Sequence, residues 1–281
     1  MICRSIAIAS LVFLSADAAF AQQRPLITED PETVGTGRLL FEGGLTWSRD
    51  QTFTGSGLTG DLLEVPQVGL SIGVGAIAEI QIDTGLYTRL NITEREPAPL
   101  SGRLEIDGDT TSSVDDIVVG AKIRLVAEKP GRPAFGLRMV TKLPNASNES
   151  GLGLNTMDFY ATLLVGKTVG SVRFVGNGGL GILSDPIENA RQTDVMPYGF
   201  SIARALADGF EVVGEVNGIV QFSEEFPPPG AESHAVFRAG VRYTYGPGRV
   251  DAGLLIGATS KDPSIGFTVG YTHVFNAFTA P

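Results

Sequence analysis

The sequence predicts an all-β protein, a single antiparallel transmembrane β-barrel of about twelve strands with short periplasmic turns and longer outer loops. Three observations carry the prediction. From Arg38 to Phe275 apolar and polar residues alternate with a period of two, the signature of strands whose two faces meet different surroundings. In the last such stretch, Ile265–Phe275, Phe267, Val269, Tyr271, His273 and Phe275 share one face while Gly266, Thr268, Gly270 and Thr272 share the other. An aromatic face backed by small polar residues suits a sheet with lipid outside and water inside. The intervals between the stretches alternate between short and long, as the two ends of a barrel require.

The N-terminus comes first. Arg4, an apolar run from Ile6 to Leu14, and Ala19-Phe20-Ala21 before Gln22 follow the order of a secretory signal peptide, so residues 1–21 are expected to be removed. Cys3 is the sole cysteine and lies inside that segment, which leaves the mature chain without thiol chemistry. Mean hydropathy is +0.14, yet no other stretch approaches the ~18 consecutive apolar residues of a membrane helix. Residues 22–37 lack alternation and carry Glu29, Asp30 and Glu32 around Pro31; they read as a periplasmic lead-in of irregular structure. The barrel occupies 38–275 as one domain, and 276–281 form a C-terminal tail.

Strands are expected near 38–49, 61–73, 78–92, 113–126, 134–144, 157–168, 172–183, 193–206, 210–222, 234–245, 250–259 and 265–275. The segments 73–77, 127–133, 169–171, 207–209 and 246–249 are short and contain Gly, Asp or Pro, as tight turns do. The segments 50–60, 93–112, 145–156, 184–192 and 223–233 are longer and polar, and only the last outer loop, 260–264, is short. A soluble sandwich has no reason to segregate loop lengths in this way. The net charge of −10 argues against nucleic-acid partners. The partners expected instead are outer-membrane lipid and lipopolysaccharide, the barrel-assembly machinery and a small solute.

Charges on the inward face cannot sit in hydrocarbon, so they mark the lumen. The pore-lining candidates are Asp83, Arg89, Asp116, Lys122, Arg124, Arg138, Lys142, Asp158, Glu215, Arg238 and Arg242. Strand parity pairs Arg89 with Asp116, Asp83 with Lys122, Lys142 with Asp158 and Glu215 with Arg242, as cross-strand ion pairs that resist register slip. Lys122, Arg124, Arg138 and Lys142 then cluster with too few acids. Either Glu29, Asp30 and Glu32 fold inward as a plug that neutralises them, or the four form one wall of an anion-attracting constriction.

Catalytic chemistry is not indicated. His273 falls on the lipid face, and His234 follows Ser233, whose side chain points to the opposite face of a strand, so the two cannot form a direct pair. Neither a His pair nor a metal-ligand spacing is present, and Asp107-Gly108-Asp109 lacks the further ligands of a calcium loop. The glycines of 176–181 sit within a strand with no following helix, so they do not form a phosphate cradle. No enzyme activity, cofactor or metal is expected.

Several motifs resemble a bacterial outer-membrane transporter β-barrel family named for the meta-pathway of phenol degradation. They are Arg24-Pro-Leu-Ile-Thr-Glu-Asp-Pro-Glu-Thr-Val34 with Gly37-Arg38, then Val114-Asp-Asp-Ile-Val-Val-Gly-Ala-Lys-Ile-Arg124, then Lys142-Leu-Pro144 and Gly151-Leu-Gly-Leu-Asn-Thr-Met-Asp158. The resemblance implies uptake of aromatic or hydrophobic compounds and singles out Lys122, Arg124, Lys142 and Asp158. The expected function is an outer-membrane channel for small solutes; the alternative is a structural or surface-interaction barrel shut by lumen salt bridges, and a lipid-modifying enzyme stands behind both.

Overall fold

The computed structural model describes residues 23–188, 191–222 and 227–278; the expected signal peptide lies outside them. Its strands are β1 (Arg38–Phe53), β2 (Leu58–Gly73), β3 (Ala78–Gly85), β4 (Thr88–Arg95), β5 (Thr110–Ser113), β6 (Ile117–Val126), β7 (Ala134–Leu143), β8 (Asp158–Val169), β9 (Val172–Ser184), β10 (Gln192–Ala207), β11 (Phe210–Gln221), β12 (His234–Tyr245), β13 (Gly248–Gly257) and β14 (Ile265–Asn276). β3 and β4 both pair with β2, along different parts of its length, and are successive halves of one stave; β5 and β6 are halves of the next. The barrel therefore has twelve antiparallel staves, and β1 pairs with both β2 and β14, which leaves no edge.

The outer face is apolar. Phe159, Phe200, Phe237, Leu254, Ile256 and Phe267 are exposed on it, and Tyr243, Tyr245, Tyr271 and Phe275 form an aromatic girdle toward the turn end. Short turns join the staves there, while the other end carries the longer loops 96–109 and 144–157 and the shorter 258–264. The first outer connection departs from expectation. Pairing continues through Gln51↔Gly60 and Phe53↔Leu58, so the polar run at 50–60 is mostly strand around a short turn.

Three neighbouring staves are interrupted at one height. Val65 and Pro66 together oppose Leu45, a β-bulge placed where proline costs no ladder bond. Beside it Leu86 and Tyr87 separate β3 from β4, and Val114–Asp116 separate β5 from β6. The backbone bonds that cross this level outside the ladders are Val65 N–H to Tyr87 O at 2.8 Å and Leu86 N–H to Pro66 O at 3.0 Å, which carry the β2 pairing through, and Asp115 N–H to Gly85 O at 2.8 Å.

Each interruption reverses which parity faces inward. Below it Gln67, Gln81, Asp83 and Lys122 point into the lumen; above it the buried residues are Leu58, Leu62, Leu90 and Ile92, packed with Phe53, Leu104, Ile106 and Leu152. Burying each such leucine stabilises this upper tier by about 1.5–3 kcal/mol. The tier is built like a soluble sheet, apolar inside and polar outside. Arg89 lies above the break and is exposed on the outer face, so it does not line the pore as its parity had implied.

Candidate functional site: the lumen

Residues 23–37 run through the barrel interior along inward-facing glycines. A Cβ on Gly44 or Gly270 would strike Arg24; on Gly240 or Gly253, Pro25; on Gly199, Thr28; on Gly136, Pro31; and on Gly73, the Gly35 carbonyl at 1.8 Å. At these points the wall offers only backbone to the segment. Of the two places the sequence allowed for this segment, beneath the barrel or within it, its contacts are those of the second.

Most of its backbone and carboxylate contacts are made by wall side chains, while Arg24 Nε, Thr28 Oγ1 and Thr33 Oγ1 are buried without a hydrogen-bond partner. Ile27 and Thr28 N–H donate to the Glu215 carboxylate at 2.9 and 2.8 Å, and Val34 N–H donates to Glu79 at 2.7 Å. Glu29 N–H donates to Asn177 Oδ1 at 2.7 Å, and Asn177 Nδ2 returns a bond to Glu29 O at 2.8 Å. The Glu29 carboxylate takes Lys122 at 2.6 Å and Arg138 at 3.3 Å. Burial opposes its ionisation, but these two cations outweigh burial and hold its carboxyl below the ordinary glutamate value. Asp30 receives a two-pronged contact from Arg173 at 2.7 and 2.8 Å, and Glu32 pairs with Arg124.

The remaining candidates fall into place around this network. Lys122, fully buried, also meets Glu79 at 3.0 Å, its partner in the β3–β6 register. The Asp83–Lys122 pair expected from parity is therefore not formed, and Asp83 has Arg138 at 3.6 Å as its cation. Lys142 pairs with Asp158 at 2.8 Å, as expected, and with Asp116 at 3.2 Å, the acid assigned to Arg89. Glu215 faces Arg238 at 3.1 Å, and Arg242 opposes Glu211 instead. Both displaced pairs are shifted by four residues, an even slip that leaves every side chain on its face. Lys122, Arg124, Arg138 and Lys142 each meet a carboxylate. Sequence reasoning missed Arg24, Glu79 and Arg249; Glu79 was visible as the inward neighbour of Gln81, whereas Arg24 and Arg249 carried no signal.

Two cavities flank the segment. The outer one, about 560 Å³, is lined by Ile27, Val118, Val140, Tyr160 and Pro197 together with Asp83 and Arg138, and it reaches the interrupted wall at Val68, Thr84, Gly85 and Asp115. The periplasmic vestibule, about 600 Å³, opens among Gly209, Gly246 and Pro247. Buried Leu26 lines both, so the partition between them is one residue thick. Above, the outer loops meet: Leu154 touches the Cβ positions of Gly55 and Gly230, and Leu100 and Ala231 are buried there.

The histidines sit apart from this network. His273 Nδ1 shares a 2.8 Å hydrogen bond with Tyr271 Oη on the outer face. His234 Nδ1 lies 3.2 Å from Asp262 at the outer mouth, and no described serine or threonine hydroxyl bonds to it.

An inside-out, closed antiparallel sheet with a polar, charge-paired lumen defines an outer-membrane β-barrel. Residues 22–272 match the family described as "Putative MetA-pathway of phenol degradation", and the chain belongs to that family. Among solved structures it is similar to an outer membrane channel from Pseudomonas putida F1, with 13% identity, a TM-score of 0.63, and 88% of this chain and 98% of that one covered. The β domain of the Bordetella autotransporter BrkA aligns at 14% identity and TM-score 0.47, covering 84% of this chain and 99% of that one. The Pseudomonas putida toluene transporter TodX aligns at 10% identity and TM-score 0.41, covering 85% and 89%. No curated protein matches the chain by sequence.

Proposed function

We propose that the barrel is a passive outer-membrane channel for small, largely apolar solutes, aromatic compounds included, which enter through the interrupted wall and not down the axis. The observation that carries this reading is where the outer cavity lies. It lies beneath the outer loops and above Leu26, and it abuts a sector of wall where three staves are interrupted and the pairing between two of them stops at Asp83↔Val118 and resumes only at Thr88↔Ser113. Exposed Leu86, Tyr87 and Val114 present that sector to the membrane with an apolar surface. Ions have little reason to cross a partition sealed by paired charges. An uncharged ring faces no such penalty at Val118, Val140 and Tyr160. Residues 23–37 act as the plug.

The test is a staple across the break. A Cβ on Gly85 would stand 3.3 Å from Asp115 Cβ, near the ~3.5–4.5 Å spacing of a disulfide. In the variant Gly85→Cys/Asp115→Cys, oxidation should slow toluene uptake into proteoliposomes at least about tenfold, and reduction should restore it. Equal uptake in both redox states would remove the lateral route. The second reading, a structural barrel, is favoured by the wholly buried Lys122–Glu29–Glu79 group. It predicts no toluene flux in either state.

A further inference from the structure

The periplasmic vestibule differs from the outer cavity in how its cations are compensated. In the outer cavity Lys142 and Arg138 each have a carboxylate within 3.3 Å. Around the vestibule stand Arg38, Arg173, Arg242 and Arg249, against Asp30 and Glu211. Asp30 is taken up by Arg173. Glu211 lies 4.0 Å from Arg242, whose Nε and Nη2 donate instead to the Arg24 and Gln23 carbonyls. Arg249 is 4% exposed, its nearest salt-bridge partner is Glu42 at 3.8 Å, its Nη2 donates a long 3.4 Å bond to the Arg24 carbonyl, and its Nε has no hydrogen-bond partner. Asp251, the cross-strand neighbour of Arg242, is buried 3.7 Å from Arg24, makes no hydrogen bond to any of these arginines and does not line the cavity. Arg38 forms no side-chain hydrogen bond or ion pair with any described residue.

Three guanidinium groups thus face one cavity with long or missing ion pairs, and one of them is buried with an open donor. Guanidinium donors are arranged to take a carboxylate in two-pronged fashion. The rest of the lining supplies a place for an apolar body, since Val175, Ala203, Ala205, Ala207, Val274 and Leu26 form a smooth wall beside the arginines. The volume of about 600 Å³ is ample for a single ring.

We infer that the vestibule is a binding site for a small organic carboxylate of aromatic size, entered from the periplasmic side and held by Arg38, Arg242 and Arg249. This goes beyond the channel reading and does not rest on it, because a barrel that conducts nothing would carry the same site. Such a ligand competes with the Gln23 and Arg24 carbonyls for Arg242, so its occupancy loosens the start of the plug.

The experiment is calorimetric titration of the purified, folded protein in non-ionic detergent with benzoate and with benzyl alcohol, its uncharged counterpart. Benzoate should bind at least about tenfold more tightly. The preference should fall about tenfold in Arg249→Gln and measurably in Arg38→Gln, a side chain whose replacement breaks no contact; heat-modifiable gel mobility confirms that both variants are folded. Added salt should weaken benzoate binding and leave benzyl alcohol unaffected. Equal affinity for the two probes overturns the site. So does benzoate binding that both folded variants retain in full.

Discussion

Replacing Lys122 by Met gives the sharpest test of how the segment 23–37 is held. In the wild type the ammonium sits 2.6 Å from Glu29 and 3.0 Å from Glu79, with none of its side chain exposed and the two acids 4% and 0% exposed. Methionine keeps most of the volume but leaves two buried carboxylates sharing one remaining cation, Arg138, which reaches only Glu29. Removing one partner of a buried ion pair costs about 3–5 kcal/mol, since the other charge stays uncompensated. The barrel has a cheap escape, which is to release the segment and hydrate Glu29. The ratio of seated to released segment should therefore fall by roughly 10²–10⁴. Hydrogen exchange read by mass spectrometry should show faster exchange of the Ile27, Thr28, Glu29 and Val34 amides, with β8 to β14 unchanged. The double variant Lys122→Met/Glu79→Gln leaves Glu29 balanced by Arg138 and should regain most of the protection. Unchanged exchange in the single variant would refute the latch, and equal loss in the double variant would refute its electrostatic cause.

Other outcomes follow from the same geometry. Because the Glu29 carboxyl is held below its ordinary value of 4.5, its contribution is complete above that pH and is lost as pH falls through the lower, folded value; exchange of residues 27–34 should rise only in that acid range. Gly73→Ala would put a methyl 1.8 Å from the Gly35 carbonyl and should free residues 34–37, whereas Gly176→Ala meets nothing within 4 Å and should leave exchange and thermal stability as they are. Lys142→Ala strands Asp116 and Asp158, whose side chains are 14% and 5% exposed, and should cost about 1–3 kcal/mol in denaturant titration. Arg89→Ala, on the exposed outer face, should stay within about 0.5 kcal/mol of wild type in the same titration.

The staves were legible because a period of two survives along almost their whole length, and a closed sheet in lipid allows only one arrangement of such strands. What escaped was local. An extra residue at Val65-Pro66, and beside it two successive outward residues at Leu86-Tyr87, reverse facing without disturbing the alternation on either side, so Arg89 was carried to the wrong face. Pro66 was a usable sign, since proline within a strand marks a bulge or an edge. The Glu79–Lys122 and Glu215–Arg238 pairs escaped for another reason. A slip of four residues conserves which way every side chain points, and parity alone cannot detect it. The path of residues 23–37 was written in the wall as inward glycines, whose meaning emerges only when they are seen to follow one line across seven different strands.

The segment's anchors also bear on the order of assembly. Its contacts reach from Glu79 on β3 through Arg173 on β9 to Thr268 on β14, so no early hairpin can hold it and its seat exists only once first and last strands have joined. The segment's own ion pairs with the wall are then among the last contacts made, after cross-strand pairs such as Glu79–Lys122. Contacts formed after the rate-limiting step leave the speed of folding nearly untouched and act on the speed of unfolding. The contacts between segment and wall are a brake on the barrel's disassembly, applied after the wall has closed.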